Sequence, residues 1–311
     1  MGKTAFIFPG QGAQYAGMGK DFYETYEQSA EVFDRAGNAV GLDIKELCFT
    51  DNDLLDRTEY TQIAMVTTEI AMLKAIRNKG LCPDVCAGLS LGEYAAIAAT
   101  NAMDEEDIFR VVRQRGILMQ NAYPVGGGMT AVLGMDSDQI EKICEDTAND
   151  MKMVVSVANY NCPGQTVITG IKSAVDAASK KLSEAGAKRV IPLNVSGPFH
   201  SSLLSDAAKG LDECLCKVEM NDPMIPYVTN VTADYVTKCD NIRELLTRQI
   251  ASPVRWQQSI ERMAADGTDT FIEIGPKKTL SGFMKKIDQN LRSFSISTTE
   301  ELEKVLEEIN D

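Results

Sequence analysis

Gly88-Leu89-Ser90-Leu91-Gly92 places a serine between two glycines, each two positions away from it. This spacing is typical of a sharp strand-to-helix turn, in which flanking side chains would collide and the serine hydroxyl stands exposed above a sheet. The apolar residues before the turn predict a buried strand, and the alanine-rich stretch 93–99 predicts a buried helix. The stretch therefore predicts an α/β fold with Ser90 as a nucleophile for acyl chemistry.

His200 is the single histidine among the 311 residues. A serine hydroxyl is a weak nucleophile near neutral pH and needs an adjacent base, most often an imidazole. If Ser90 is activated in this way, His200 must be that base. The alternative interpretation is that Ser90 caps the following helix and that His200 is an ordinary core or surface histidine.

The composition indicates a globular protein, with 44% hydrophobic residues, 24% charged residues and a net charge of −14. The acidic balance argues against nucleic acid and anionic membranes as partners, because neutralising phosphate requires a basic surface. No apolar run approaches the roughly 20 residues that cross a bilayer, and we find no export signal at the start of the sequence. Eight cysteines without an export signal predict reduced thiols and a cytoplasmic location.

Metal and cofactor sites are not expected from this sequence. One histidine and cysteine spacings that do not match zinc motifs argue against a metal site. Two glycine-rich stretches resemble phosphate loops, but Gly10-x-Gly12 lacks the third glycine and Gly17-Met18-Gly19-Lys20 is followed by Asp21. We therefore predict no metal and no cofactor.

The chain divides into a host unit and a smaller inserted unit. The order of elements predicted for residues 126–194 is β-α-β-β-α-β, a ferredoxin-like arrangement, after a linker at 124–128. Its strands are predicted at 129–133, 153–158, 165–169 and 189–193, and its helices at 136–148 and 172–185. We therefore assign 126–194 to a small domain inserted into an α/β large domain of residues 1–125 and 195–311. The insertion lies between Ser90 and His200, which predicts a cleft with both residues at its edge.

The host unit is predicted from hydrophobic periodicity and from turn residues. A buried strand over 4–8 ends at Pro9-Gly10-Gln11-Gly12. The helix predicted at 104–122 begins with an acidic first turn and carries Arg110, Arg113 and Arg115. Helices are predicted at 60–80, 104–122, 203–217, 241–250, 256–266 and 300–308, and a strand at 270–274.

Seven separated segments together resemble the malonyl-CoA:acyl carrier protein transacylases and the acyltransferase domains of fatty-acid and polyketide synthases. The resemblance extends nearly from end to end. The segments are Phe8–Gln14, Gly88–Tyr94, Arg115-Gly116, Ala158–Gln165, Phe199–Ser201, Gln249–Trp256 and Glu273–Pro276. The resemblance implies an α/β-hydrolase-like core with a parallel sheet and an inserted ferredoxin-like domain. It also implies transfer of malonyl from malonyl-CoA to the phosphopantetheine thiol of acyl carrier protein, through a malonyl-serine.

The resemblance also implies the roles of individual residues. Ser90 attacks the thioester, His200 is the general base and acid, and the backbone carbonyl of Gln249 orients the imidazole. Backbone N–H groups of Gln11 and Leu91 form the oxyanion hole. A purely structural role for Gln11 is the alternative.

Substrate recognition is assigned to Arg115, Phe199 and Asn159 on the same resemblance. A guanidinium can bind the free malonyl carboxylate with two parallel hydrogen bonds, whereas a solvated helix arginine, which is our interpretation of Arg110 and Arg113, would not. Phe199 would crowd an α-methyl group. The family usually has histidine before the nucleophile, and this chain has Leu89 there. The substitution would reshape the floor of the acyl pocket and so affect substrate preference.

Two other functional classes fit parts of the sequence. A serine hydrolase or thioesterase uses the same turn and base, and a polyketide-pathway acyltransferase shares the same motifs. A non-catalytic binding subunit with this fold would need neither Ser90 nor His200.

Overall fold

The computed structural model describes residues 2–310 and contains two β-sheets. The strands are β1 (Lys3–Phe8), β2 (Val85–Gly88), β3 (Gly127–Leu133), β4 (Val155–Cys162), β5 (Gln165–Ile171), β6 (Arg189–Pro192), β7 (Tyr227–Val228), β8 (Tyr235–Val236), β9 (Thr268–Ile274) and β10 (Arg292–Ile296). The larger sheet has the order β10-β9-β1-β2-β7-β8, and β8 alone pairs antiparallel there among the described strands. The chain is therefore a mixed α/β protein built on a parallel sheet.

Helices pack against both sheets and cover both faces of the larger one. They are α1 (Lys20–Thr25), α2 (Glu27–Val40), α3 (Ile44–Phe49), α4 (Thr58–Asn78), α5 (Gly92–Ala99), α6 (Glu105–Ala122), α7 (Ser137–Met151), α8 (Lys172–Glu184), α9 (Ser205–Leu215), α10 (Ile242–Gln249), α11 (Trp256–Ala265), α12 (Thr279–Ile287) and α13 (Thr299–Asn310). The alternation of β1 explains the layers, since successive side chains of a strand point to opposite faces. Phe6 and Phe8 pack in the core formed with α4, α5 and α6, whereas Ala5 and Ile7 pack with Trp256 and other residues of α11 and α12.

The second sheet is antiparallel, with the order β4-β5-β3-β6, and its elements follow one another as β3-α7-β4-β5-α8-β6. Helices α7 and α8 cover it through a separate apolar core. One connection to the rest of the molecule is made by main chain, because the Tyr160 N–H donates to the Val254 carbonyl at 2.9 Å and the Val254 N–H donates to the Ala158 carbonyl at 2.8 Å. This pairing holds β4 beside the carboxyl end of the parallel sheet.

Several predicted boundaries are wrong for identifiable reasons. The linker predicted at 124–128 is shorter, because Gly127 and Gly128 already belong to β3 and pair with β5. Gly127 is suited to this position, since a Cβ there would lie 2.4 Å from the Pro198 ring. Helix α7 continues to Met151 instead of ending at 148, and Lys152 in the left-handed conformation then delays β4 to Val155. β4 in turn continues through Cys162 instead of ending at 158.

The structure also contains helices and a strand that were not predicted from the sequence. Helices α1, α2 and α3 fill residues 20–49, and α12 and β10 follow β9. The helix predicted at 203–217 begins as a short 3-10 turn over Ser202–Leu204. None of the helices in the described part of the chain combines the length and the apolar character needed to cross a bilayer.

Candidate active site

Ser90 lies in the sharp turn between β2 and α5 with a φ of 52°. This left-handed conformation is strained for a residue with a side chain. Both neighbouring glycines are required by close packing: a Cβ on Gly88 would lie 1.9 Å from the Gly92 carbonyl carbon, and one on Gly92 would lie 2.2 Å from the Phe8 carbonyl oxygen. The predicted strand-turn-helix at Ser90 is therefore present, and its glycines are needed for the reason that the sequence suggested.

Ser90 and His200 meet in the folded chain. Ser90 Oγ lies 2.8 Å from His200 Nε2, and His200 Nδ1 lies 2.9 Å from the backbone carbonyl oxygen of Gln249. Because a carbonyl only accepts hydrogen bonds, Nδ1 must carry the proton and the unprotonated Nε2 faces the serine hydroxyl. This is the tautomer that a general base requires. His200 also has a positive φ, of 59°.

The environment keeps His200 neutral. Burial, together with the positive charge of Arg115, lowers the pKa of His200 to about 4, although the backbone hydrogen bond with Gln249 acts in the opposite direction. No carboxylate is hydrogen-bonded to the imidazole within residues 2–310; the Gln249 carbonyl takes that position. The site thus holds an uncharged imidazole ready to accept a proton over a wide range of pH.

Arg115 is fully buried at the base of the same site. Its Nη1 donates to Gln62 Oε1 at 2.8 Å, and its Nη2 donates to Ser90 Oγ at 3.1 Å and to Gln249 Oε1 at 3.0 Å. These acceptors are all uncharged, and no carboxylate of residues 2–310 is hydrogen-bonded to the guanidinium. The arrangement suits an arginine that binds an anionic substrate group.

The two other arginines of α6 differ from each other. Arg110 is exposed and pairs with Glu106 and Asp107, as expected for a solvated face. Arg113 is not solvated, which corrects the prediction: its side chain is 14% exposed, pairs with Glu59 and lies 4.6 Å from the ring centre of Tyr60. Helix α4 packs closely against α6 and covers this position, which periodicity within α6 alone did not reveal.

Two backbone N–H groups are free at the mouth of the turn. Those of Leu91 and Gln11 make no hydrogen bond to any described residue, whereas the Ser90 N–H is occupied by Asn230 Oδ1 at 2.6 Å. Leu91 immediately precedes α5, so its N–H belongs to the positive end of that helix. The Gln11 side chain donates to Thr58 Oγ1 at 3.1 Å, which leaves its backbone as the group available to the site.

A cavity of about 270 Å³ opens in front of these groups. The residues predicted for the site all line it except Gln249, which lies behind Ser90 and His200. Phe199 is 7% exposed beside the histidine, and Asn159 is presented by β4 through the pairing with Val254. Leu89 also lines the cavity and packs close to Gly10, where a Cβ would come within 3.1 Å of Leu89 Cδ2.

Three residues of the site were missed by the sequence analysis. Gln62 binds Arg115, Asn230 binds the backbone of the turn, and Glu93 accepts hydrogen bonds from Asn230 and Gln249. Glu93 could have been found from the sequence, because a carboxylate at the start of an otherwise alanine-rich, buried helix is unusual and indicates a specific role. No spacing pattern marks Gln62 or Asn230. Within residues 2–310, no group of three or more His, Cys, Asp or Glu side chains converges as metal ligands do.

Comparison with known proteins places this geometry in a family. The acyl transferase domain matches residues 5–302. A malonyl CoA-acyl carrier protein transacylase from Bacillus subtilis (strain 168) is 43% identical over 316 residues, covering 100% of this chain and 99% of the relative. One from Staphylococcus aureus (strain MRSA252) is 43% identical over 304 residues, covering 97% of this chain and 98% of the relative.

Solved structures agree with these relatives. A malonyl CoA-acyl carrier protein transacylase from Clostridium perfringens superposes with a TM-score of 0.95 at 44% identity, covering 99% of this chain and 97% of the other. A malonyl-transacylase solved in complex with a type II PKS acyl-carrier protein superposes with a TM-score of 0.95 at 36% identity, covering 98% and 99%. The chain therefore belongs to the acyl transferase family, among the malonyl CoA-acyl carrier protein transacylases.

Proposed function

We propose that this protein transfers malonyl from malonyl-CoA to the phosphopantetheine thiol of acyl carrier protein and so supplies fatty-acid synthesis. The observation that carries the proposal is the contact between Arg115 Nη2 and Ser90 Oγ at 3.1 Å. It sets a buried cation, suited to the malonyl carboxylate, next to the nucleophile that the thioester must reach. The names of the relatives and the solved complex with an acyl-carrier protein support the same substrates.

The reaction proceeds in two halves, in a ping-pong sequence. Ser90 Oγ attacks the malonyl thioester carbonyl while His200 Nε2 takes its proton, and the resulting imidazolium protonates the departing thiolate of coenzyme A. In the second half, His200 deprotonates the carrier-protein thiol, which attacks the malonyl-serine and releases Ser90. The imidazolium then returns its proton to the serine oxygen.

The remaining site residues act on binding and on charge. The N–H groups of Leu91 and Gln11 stabilise the tetrahedral oxyanion, and the Gln249 carbonyl holds the imidazole in its tautomer. Arg115 binds the carboxylate, while Phe199 and Asn159 shape the space around the acyl group. The proposed reaction needs no cofactor, because the serine supplies the nucleophile and the imidazole carries out the proton transfers.

The finer description of the fold belongs to this proposal. The sharp strand-to-helix turn at Ser90, at the end of a strand in a mostly parallel sheet, supports an α/β-hydrolase-like core. The β-α-β-β-α-β order of the second sheet supports a ferredoxin-like small domain at 126–194, inserted into a large domain of 1–125 and 195–311. The cleft between them is where the cavity lies. A cytoplasmic location stays a prediction from cysteine usage.

Intact-protein mass spectrometry tests the proposed function. Mixed with malonyl-CoA alone, the protein should gain one malonyl group and keep it, and Ser90→Ala should gain none. Adding the pantetheine-bearing carrier protein should discharge the label within the turnover time and produce malonyl-carrier protein. Rapid loss of the label to water without a thiol would instead indicate a serine hydrolase.

A further inference from the structure

A fully buried carboxylate lies behind the nucleophile and the base. Glu93 Oε2 accepts hydrogen bonds from the Asn230 backbone N–H at 3.1 Å and from Gln249 Nε2 at 2.7 Å. Glu93 is the second residue of α5 and is 0% exposed, so it does not line the cavity. Its two donors come from distant parts of the chain, and each of them continues to a different part of the active site.

The first branch runs through Asn230 to the nucleophile. Asn230 Oδ1 accepts the Ser90 N–H at 2.6 Å, and Asn230 Nδ2 donates to the Gly88 carbonyl at 2.7 Å. The side chain therefore binds the backbone of the turn at Gly88 and at Ser90 itself. Since Ser90 has a φ of 52°, these contacts help to hold a conformation that the chain would otherwise leave.

The second branch runs through Gln249 to the base. Gln249 Nε2 donates to Glu93 and also to the Ser90 carbonyl at 2.9 Å, and the backbone carbonyl of the same glutamine accepts from His200 Nδ1. The orientation of the imidazole thus depends on where the Gln249 residue is held. The two branches therefore end on Ser90 and His200, the two residues whose side chains must exchange a proton.

We propose that Glu93 is a positioning residue that aligns Ser90 with His200 by accepting hydrogen bonds from Asn230 and Gln249. The proposal rests on the proposed function in one respect, because it takes Ser90 and His200 as the nucleophile and the base. It goes beyond that function in assigning the alignment to one oxygen atom that touches neither substrate nor reacting group.

The charges around Glu93 are consistent with this role. Burial raises its pKa to about 7, while the hydrogen bonds from Asn230 and Gln249, with Thr229 and Arg115 nearby, act in the opposite direction. Tyr94 and Tyr227 are the other titratable groups that interact with it. A carboxyl oxygen accepts hydrogen bonds in either protonation state, so positioning does not require a particular charge.

Two substitutions separate hydrogen bonding from charge and volume. Glu93→Gln keeps one acceptor oxygen for both donors and places its amide nitrogen at Oε1, which receives no hydrogen bond from the described residues. Glu93→Met removes both acceptors while roughly preserving volume. Glu69→Met is the matched control, because Glu69 is also 0% exposed and makes no hydrogen bond within residues 2–310.

We would measure kcat and KM for malonyl transfer and the midpoint of thermal unfolding. The rate at which a fluorophosphonate modifies Ser90 would be followed by intact-protein mass spectrometry. For Glu93→Met we expect kcat and the labelling rate to fall about 100-fold, the effect of small misalignment of reacting groups. KM for malonyl-CoA should change by less than about threefold, because Arg115 still binds the carboxylate. Glu93→Gln should restore both rates to within about fivefold of the parent protein, and Glu69→Met should leave them unchanged.

The outcomes that overturn the proposal are specific. A folded Glu93→Met that retains parental kcat and labelling rate would overturn it, and so would Glu93→Gln if it lost as much as Glu93→Met. If Glu93→Met does not fold, Gln249→Met removes the side-chain donor to Glu93 while keeping the backbone carbonyl that binds His200, and it carries the same expectation for kcat and for the labelling rate. If the parent protein fails to transfer malonyl but its Ser90 labelling still slows in Glu93→Met, the positioning role stands and the proposed function fails.

Discussion

Arg115 and Ser90 are joined by a hydrogen bond of 3.1 Å between Nη2 and Oγ, although one lies on α6 and the other in the turn before α5. The same guanidinium lowers the pKa of His200. The group that we propose to bind the substrate carboxylate is therefore coupled electrostatically to His200 and hydrogen-bonded to Ser90.

Replacing Arg115 with alanine should reduce malonyl use selectively. Removing one partner of a desolvated charge pair costs about 2 to 5 kcal/mol, which lowers kcat/KM for malonyl-CoA by about 30- to 5,000-fold. Acetyl-CoA lacks the carboxylate and should lose far less. Steady-state rates with both donors measure the ratio, and Arg113→Ala is the control, since Arg113 pairs with Glu59 outside the cavity. An equal loss for both acyl groups would contradict the assignment of Arg115.

The pH dependence should reflect the depressed pKa of His200. The imidazole must be neutral to act as a base, and burial with Arg115 lowers its pKa to about 4. Below this pKa the base is protonated, so kcat/KM for malonyl-CoA should stay level from about pH 7 down to about pH 5 and fall only at lower pH.

Arg115→Ala supplies the matched test of this electrostatic coupling. Removing the guanidinium removes a positive charge that opposes protonation, so the acid limb of kcat/KM should move to higher pH. The pH profile of the variant with acetyl-CoA measures the shift. An unchanged limb would mean that Arg115 does not influence the base.

Gly92 should not tolerate even a methyl group. A Cβ at this position would lie 2.2 Å from the Phe8 carbonyl oxygen, which is backbone of β1 and cannot move away without disturbing the parallel sheet. Gly92→Ala should therefore reduce the free energy of unfolding by about 2 to 4 kcal/mol. Denaturant unfolding measures this quantity.

Gly282→Ala is the control for that substitution. Gly282 lies within α12, has no positive φ, and has open space where its Cβ would be. Alanine there should stabilise the protein by up to about 1 kcal/mol, because glycine is the poorer helix former. If both variants were equally destabilised, close packing at the turn would not be the explanation.

We expect the Glu69 carboxyl group to lower the free energy of unfolding at neutral pH. It is fully buried without a hydrogen bond to the described residues, and burial, reinforced by Glu273, raises its pKa well above the ordinary value. Above the unfolded pKa of about 4.5 the native state binds more protons than the unfolded state, so its contribution to stability decreases as pH rises toward the native pKa.

Glu69→Met removes this titration and its desolvation penalty. The variant should be more stable than the parent at pH 7 by about 1 to 3 kcal/mol, with a smaller difference near pH 4. Thermal or denaturant unfolding at several pH values gives the comparison. Equal stability changes at both pH values would show that Glu69 does not titrate as described.

The sequence alone was sufficient for the local features around Ser90 and for most of the regular elements. The glycine spacing, the apolar run before it and the alanine-rich stretch after it predicted the turn, because these properties depend on residues a few positions apart. The parallel mixed α/β class and the family followed from similar short segments. Helices α1, α2 and α3 were missed, since we assigned no periodic pattern to residues 20–49.

Only the tertiary structure decided which side chains meet behind the nucleophile. Asn230 and Gln249 lie 140 and 159 positions from Ser90 along the chain, and no local pattern links them to Glu93. The burial of Arg113 likewise depends on α4 packing against α6. Such contacts are set by how strands and helices are brought together around the core, which spacing within one segment does not specify.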